Sequence, residues 1–224
     1  MTQRRHRSRF LRPRPAAAAA LALALAGGAA AAGAAPAQDS APSPPLLPAR
    51  DVAVTYRLTG PGGAGTHSLR IAWLTAEGRV RLDLPAELGG VMLLDRRAQR
   101  AFLVMDQHRL VVELPSGGEF PRLGELPPGA RLTREGRDRV AGLPCTVWRY
   151  QDHGRSGRAC ITEDGVLLRA SGPGAAGGAG DDGALEAVAV AYGPQDPASF
   201  RPPPGYRAMR AAPGTGPATR IAGR

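Results

Sequence analysis

Lysine is absent from the 224 residues, so all 29 basic side chains are arginine. Cysteine occurs twice, histidine four times, and aromatic residues make up 4% of the chain. These shortages remove several classes of chemistry. A redox-active pair is normally C-x-x-C at a helix N-terminus, and Cys145 and Cys160 are spaced too widely for that. Outside the N-terminal leader the histidines are His67, His108 and His153, each beside a turn or strand end and none paired at metal-ligand spacing. They read as solvated surface histidines. No G-x-S-x-G elbow is present, and Ser116 and Ser156 sit in glycine-flanked turns, where serine serves the backbone. Gly60–Gly65 formally matches G-x-G-x-x-G, but a strand pattern rather than a helix follows, so it reads as a hairpin loop. Thr66 stands where a phosphate-binding loop would need lysine. Asp181-Asp182 lacks the periodic oxygen ligands of a calcium loop. The expectation is a non-catalytic chain with no metal and no cofactor. A hydrolase site assembled from scattered Asp, Glu, Ser and His is the alternative to it.

Acidic residues are missing from both ends. Residues 1–37 hold Arg4, Arg5, Arg7, Arg9, Arg12 and Arg14, then the apolar run Ala16–Ala26, then Ala35-Pro36-Ala37. This is the order of a secretory signal peptide, with cleavage expected between Ala37 and Gln38. The rival is an uncleaved inner-membrane anchor, but Ala16–Ala35 is mostly Ala and Gly with only three Leu, so insertion would be weak. An exported chain enters an oxidising, periplasmic space, where two cysteines imply one bridge. At the other end, Arg201, Arg207, Arg210, Arg220 and Arg224 have no acidic neighbours. The body between, Gln38 to Phe200, carries 18 arginines against 19 acids. The basicity is terminal, so a nucleic-acid partner is not expected, since that would need a basic, aromatic-bearing patch on the folded body. Residues 38–49 read as a Pro/Ala/Ser linker, 50–206 as one β domain, and 207–224 as a disordered basic tail. The mature chain is not expected to span the membrane.

Period-two alternation dominates the body. Val52, Val54, Tyr56 and Leu58 share one face, and the pattern repeats at Leu69–Trp73, Val80–Leu84, Val91–Leu94, Ala101–Met105 and Leu110–Leu114. Runs spaced by about 8–12 residues have the cadence of an all-β sandwich or barrel. Ser116–Pro128 breaks the rhythm and allows at most a short helix or lid-like loop near Glu119–Leu126. Strands resume at Arg131–Val140, Gly165–Ser171 and Leu185–Tyr192, with a Gly/Ala turn at Gly172–Gly183. Phe200–Tyr206, with three prolines, closes the domain and is expected to seal one end of its core. Between Val140 and Thr162 lies a hairpin whose halves hold Cys145 and Cys160. With Asp152-His153 at its midpoint the two cysteines fall directly opposite each other on one face, within reach of a disulfide.

The stretch G-x-x-x-V-A-G-L-P-C-T-x-W (Gly136 to Trp148), a second-strand cysteine, T-E-D-G-V-L-L-R, L-E-A-V-x-V-x-Y and P-A-S-F-x-P-P-P-G-Y resemble an uncharacterised family of exported proteobacterial proteins. Such families are similar to the LolA/LolB-type half-barrel, an open antiparallel sheet curved around an apolar concavity. The resemblance implies a mainly β, antiparallel half-barrel of roughly ten strands, with a β-sandwich as the alternative. It also implies a lipid or other apolar ligand as partner; the alternative is another envelope protein, paired at an exposed sheet edge. The strand aromatics Tyr56, Trp73, Phe102, Trp148, Tyr150 and Tyr192 read either as core or as lining of the concavity.

Overall fold

In the computed structural model of the chain, residues 43–60, 65–87, 89–115, 130–152, 154–173, 175 and 182–211 are described. The signal segment with its Ala37–Gln38 junction, the Glu119–Leu126 stretch and residues 212–224 lie outside them. Among the described residues twelve strands form: β1 (Val52–Thr59), β2 (Thr66–Leu74), β3 (Arg79–Asp83), β4 (Val91–Asp95), β5 (Arg100–Met105), β6 (Leu110–Leu114), β7 (Arg131–Val140), β8 (Leu143–Asp152), β9 (Arg155–Ile161), β10 (Leu167–Pro173), β11 (Asp182–Tyr192) and β12 (Arg207–Arg210). They build one sheet in the order β12-β6-β5-β4-β3-β2-β1-β11-β10-β9-β8-β7. The sheet is curved and unclosed, a half-barrel rather than a sandwich. Helix is limited, among the described residues, to three short 3₁₀ turns. None of the described helices is long and apolar enough to cross a membrane.

The alternation seen in the sequence becomes rows of side chains across the sheet. Val52, Trp73, Val80, Leu94, Ala101 and Leu114 stand in register from β1 to β6, and all are buried. Residues two positions along form the parallel row Val54, Ile71, Leu82, Met92, Leu103 and Val112. Apart from Leu103, the residues of these rows form the main core or pack against it. The opposite face of the same strands is also apolar. Ala53, Ala72 and Leu74 gather around Phe200, while Val91, Leu93, Val104 and Val111 pack with Phe102 and Tyr206. The closing segment Phe200–Tyr206 therefore covers a face of the sheet, not an end of its core. It is launched by a 3₁₀ turn at Pro197–Phe200, whose first amides are met by the Asp196 carboxylate (3.0 Å to the Ala198 N–H). Phe200, 4% exposed, is its anchor.

Three expectations need correction. The tail is the first: beside the strands expected from the alternation, the described residues include β12. It occupies the start of the segment expected to be a disordered tail, because the three prolines deliver the chain alongside β6, where it pairs in parallel from Arg207 opposite Leu110 to Arg210 opposite Glu113. Residues 43–49, expected to be linker, pack on the body: Pro44 and Pro48 are buried and the Ala49 N–H donates to the Asp164 carbonyl at 2.8 Å. The cysteines are not directly opposed. Asp152 pairs with Arg155, which shifts the register from that of the expected midpoint, and Gly154 at φ 79° supplies the left-handed position a tight turn needs. Cys160 then faces Val147, and the bridge to Cys145 runs diagonally, with the Cα atoms 5.4 Å apart.

The disulfide links residues 15 apart, a closure worth about 3 kcal/mol in the chain-entropy view. Replacing both Cys145 and Cys160 by serine, or reducing the bridge, lowers unfolding stability by about that amount in a urea titration, with the fold retained.

Candidate functional site

The six strand aromatics do not converge on one site. Tyr56 is 1% exposed, and its hydroxyl crosses β11 to donate to the Leu167 carbonyl on β10 at 2.8 Å. Burial, with the charge of Tyr192 adding to it, holds the Tyr56 phenol neutral far above its ordinary titration range. Trp73 and Trp148 are buried, and neither indole N–H finds a partner among the described residues. Tyr150 lies over the bare backbones of Gly157 and Gly172, and its hydroxyl donates to the Pro173 carbonyl at 3.2 Å. A Cβ at Gly157 would collide with the Tyr150 ring and with the Ser171 carbonyl, which is why a side chain is missing there. Tyr192 enters the polar cluster described below. Tyr56, Trp73, Trp148 and Tyr150 therefore serve packing or backbone hydrogen bonding, and Phe102 alone of the six lines the cleft described next.

That cleft, of about 770 Å³, lies between the second face of β4–β6 and the closing segment. Leu93, Phe102 and Val111 form its floor, and Pro202, Pro203 and Tyr206 part of its wall. Its rim is ionic. Glu113 is held between Arg100 (2.9 Å) and Arg210 (3.1 Å), and these hydrogen bonds, Arg100 first, keep its carboxyl below the usual range. Arg100 also stacks over Phe102, 4.8 Å from the ring centre. Two arginines share one glutamate, so the rim beneath this strap is net positive there, a poor match to a wholly apolar ligand.

The main-core face is different. The row of Val54, Ile71 and Leu82 is buried, but its continuation through Met92, Leu103 and Val112 is half-exposed. Leu58, Leu69 and Leu84, on the same face, are half-exposed as well. Among the described residues, one end of this face is thus less completely buried than the other.

A polar cluster absent from the sequence reading sits at the β9–β10 turn. Asp164 accepts from the Thr162 hydroxyl (2.6 Å), the Tyr192 hydroxyl (3.0 Å) and Arg50 Nε (2.9 Å). Thr162 Oγ1 in turn accepts from the Val166 N–H, and the Arg50 guanidinium stacks 3.8 Å from the Tyr192 ring centre. Gly165 completes the turn at φ 89°, with the Leu47 carbonyl where a Cβ would stand. The cluster fastens the incoming chain to the sheet. The Thr162-x-Asp164 spacing signals the local turn, but the partners Arg50 and Tyr192 are set by tertiary structure. No group of three or more His, Cys, Asp or Glu with metal-binding geometry occurs among the described residues.

No protein-family model matches the chain, and no curated protein matches it. Solved structures do. An uncharacterised conserved protein from Thermus thermophilus superposes with a TM-score of 0.51 at 14% identity, over 72% of this chain and 91% of that one. The Pseudomonas aeruginosa MucA/MucB complex gives 0.44 at 16% identity, over 65% of this chain, which spans 53% of the matched chain's length. A domain named for outer-membrane lipoprotein sorting, from Vibrio parahaemolyticus, gives 0.34 at 13% identity, over 64% of this chain and 85% of that one. The likeness to the Thermus protein is one of fold alone.

Asp164 gives a test of the turn. Burial pushes its pKa up, and the hydrogen bonds from Thr162, Arg50 and Tyr192 together more than offset that, leaving it below the ordinary carboxylate value. A carboxyl depressed in the folded state stabilises fully above its unfolded pKa of about 3.9, and that contribution disappears as pH falls through the folded pKa. Asp164→Asn is therefore expected to cost about 2 kcal/mol at pH 6. The gap from the unmodified protein should narrow below about pH 4, as read by urea titrations across that range.

Proposed function

We propose that this chain is an exported, non-catalytic protein of the bacterial envelope that holds an acyl chain or a similar apolar ligand against the main-core face of its half-barrel. The observation that carries the reading is the change in burial along one register row: Val54, Ile71 and Leu82 are buried, whereas Met92, Leu103 and Val112 continue it half-exposed. Aliphatic surface left in contact with water is a standing driving force, and each methylene of a ligand buried there contributes about 0.8 kcal/mol. The side chains of that row are apolar, as those of sites for lipid tails are. Export is supported by the disulfide, which persists in oxidising compartments, and by the leader pattern of the sequence.

A fluorescent polyene fatty acid, cis-parinaric acid, serves as the probe. The unmodified protein takes it up with enhanced emission. Leu103→Arg and Met92→Arg, placed on the half-exposed row, weaken uptake at least tenfold while leaving the thermal melt within a few degrees. Phe102→Ala, in the cleft on the other face, leaves uptake unchanged. Absence of uptake by the unmodified protein, or uptake lost only with Phe102→Ala, contradicts the reading.

A further inference from the structure

The strand at one end of the sheet, β7, differs from the rest in how its charges are arranged. Among the described residues it pairs with β8 alone, and it is ten residues long and exposed through nearly all of its length. Such an edge offers a row of unpaired backbone N–H and C=O groups. Its sequence, R-L-T-R-E-G-R-D-R-V, looks like a mixture of charges, but the register separates them. Arg134 stands opposite Trp148, Gly136 opposite Val147, Arg137 opposite Thr146 and Arg139 opposite Pro144, with a bulge between Arg134 and Gly136. Trp148, Thr146 and Pro144 alternate along β8, so the bulge turns an irregular sequence spacing into a strict two-residue period. Arg134, Arg137 and Arg139 therefore project from one face.

The acids of β7 lie elsewhere and are already engaged. Glu135, the bulged residue, is held by Arg149 and by Arg158 Nε at 2.7 Å. Arg149 and Arg158 are themselves register partners, on the face opposite Trp148. Asp138, opposite Cys145, accepts from Arg169 Nη1 at 2.6 Å. Arg134 and Arg137 have no carboxylate partner among the described residues; the Arg139 guanidinium donates to the Gly142 carbonyl at 2.6 Å and its backbone N–H to the Asp138 carboxylate at 2.7 Å. The edge thus presents three guanidinium groups at the repeat of a β-strand beside an unpaired backbone.

We infer that the β7 edge is a docking strand for an acidic, extended polypeptide segment, added to the sheet by backbone pairing with an acid at every second residue facing Arg134, Arg137 and Arg139. The backbone row selects a polypeptide over a lipid headgroup or a free anion, which has no ladder to offer. The arginine row selects acidic segments and repels a second copy of the same edge, so it admits a partner and blocks self-association at once.

A fluorescein-labelled peptide alternating Thr and Glu over about ten residues, the span of a longer strand, tests this by anisotropy against a Thr/Lys peptide of equal length. The acidic peptide binds, the basic one does not, added salt weakens binding, and amide hydrogen exchange slows within Arg131–Val140. The double substitution Arg134→Glu with Arg137→Glu lowers affinity at least tenfold. Leu103→Arg, on the apolar face, leaves it unchanged, so this site and the proposed ligand face are tested separately. Equal binding of both peptides, indifference to the β7 substitutions, protection confined to other strands, or binding to phosphatidylglycerol vesicles in place of the peptide would each overturn the inference.

Discussion

The register of β1 against its two neighbours is the constraint on which the rest of this molecule depends. Val52, Val54 and Tyr56 are at most 1% exposed, and each is matched across both sides of the strand, to β2 and to β11. A slip of one residue would send that whole set to the other face and bring Ala53 and Thr55 into the main core. The single irregularity, a bulge between Thr55 and Tyr56 against β11, falls where the Tyr56 hydroxyl reaches past β11 to the Leu167 carbonyl. That hydrogen bond ties three strands together and satisfies the one polar atom of a side chain otherwise buried in hydrocarbon.

A single sheet with two apolar faces has a covering problem that a sandwich does not have. This chain meets it unevenly. On the second face, the strap anchored by Phe200 and Tyr206 lies over Ala53, Ala72, Val91 and Leu93, then ends as β12 on the edge of β6. On the main-core face, burial is complete at one end of the strands and partial at the other. The uneven cover is the physical basis for assigning binding to that face rather than to the ion-rimmed cleft beneath the strap. The two cysteines, the Asp164 cluster and the Tyr150–Gly157 contact brace the opposite half of the sheet.

Most strand positions were legible because alternation of period two survives in the bare sequence, as in V-A-V-T-Y-R-L. The hairpin register was not, because a one-residue change in the centre of the turn moves the cross-strand partner by two, and Asp152 pairs with Arg155. β12 was invisible: R-A-M-R has no apolar period, and it is a strand only because the prolines before it deliver it to β6. The covered second face was hidden by reading each strand for one buried face, although the run V-M-L-L at Val91–Leu94 already signals burial on both sides. Of the candidate aromatics, residue type placed them on strands correctly but could not separate core from surface, since Phe102 and Tyr56 read alike until the register assigns them to opposite faces. The Asp164 cluster depends on Arg50 and Tyr192, far apart in sequence, and no local pattern brings them together.

The central claim is that the half-exposed end of the main-core face is occupied by an apolar ligand in the cell. Native mass spectrometry of the protein isolated from its own cells without detergent, followed by organic extraction, measures this directly. The account predicts a species heavier than the bare chain that collapses to the apo mass on extraction and releases a lipid or other apolar compound. A homogeneous apo mass that gains nothing on incubation with envelope lipids would contradict it.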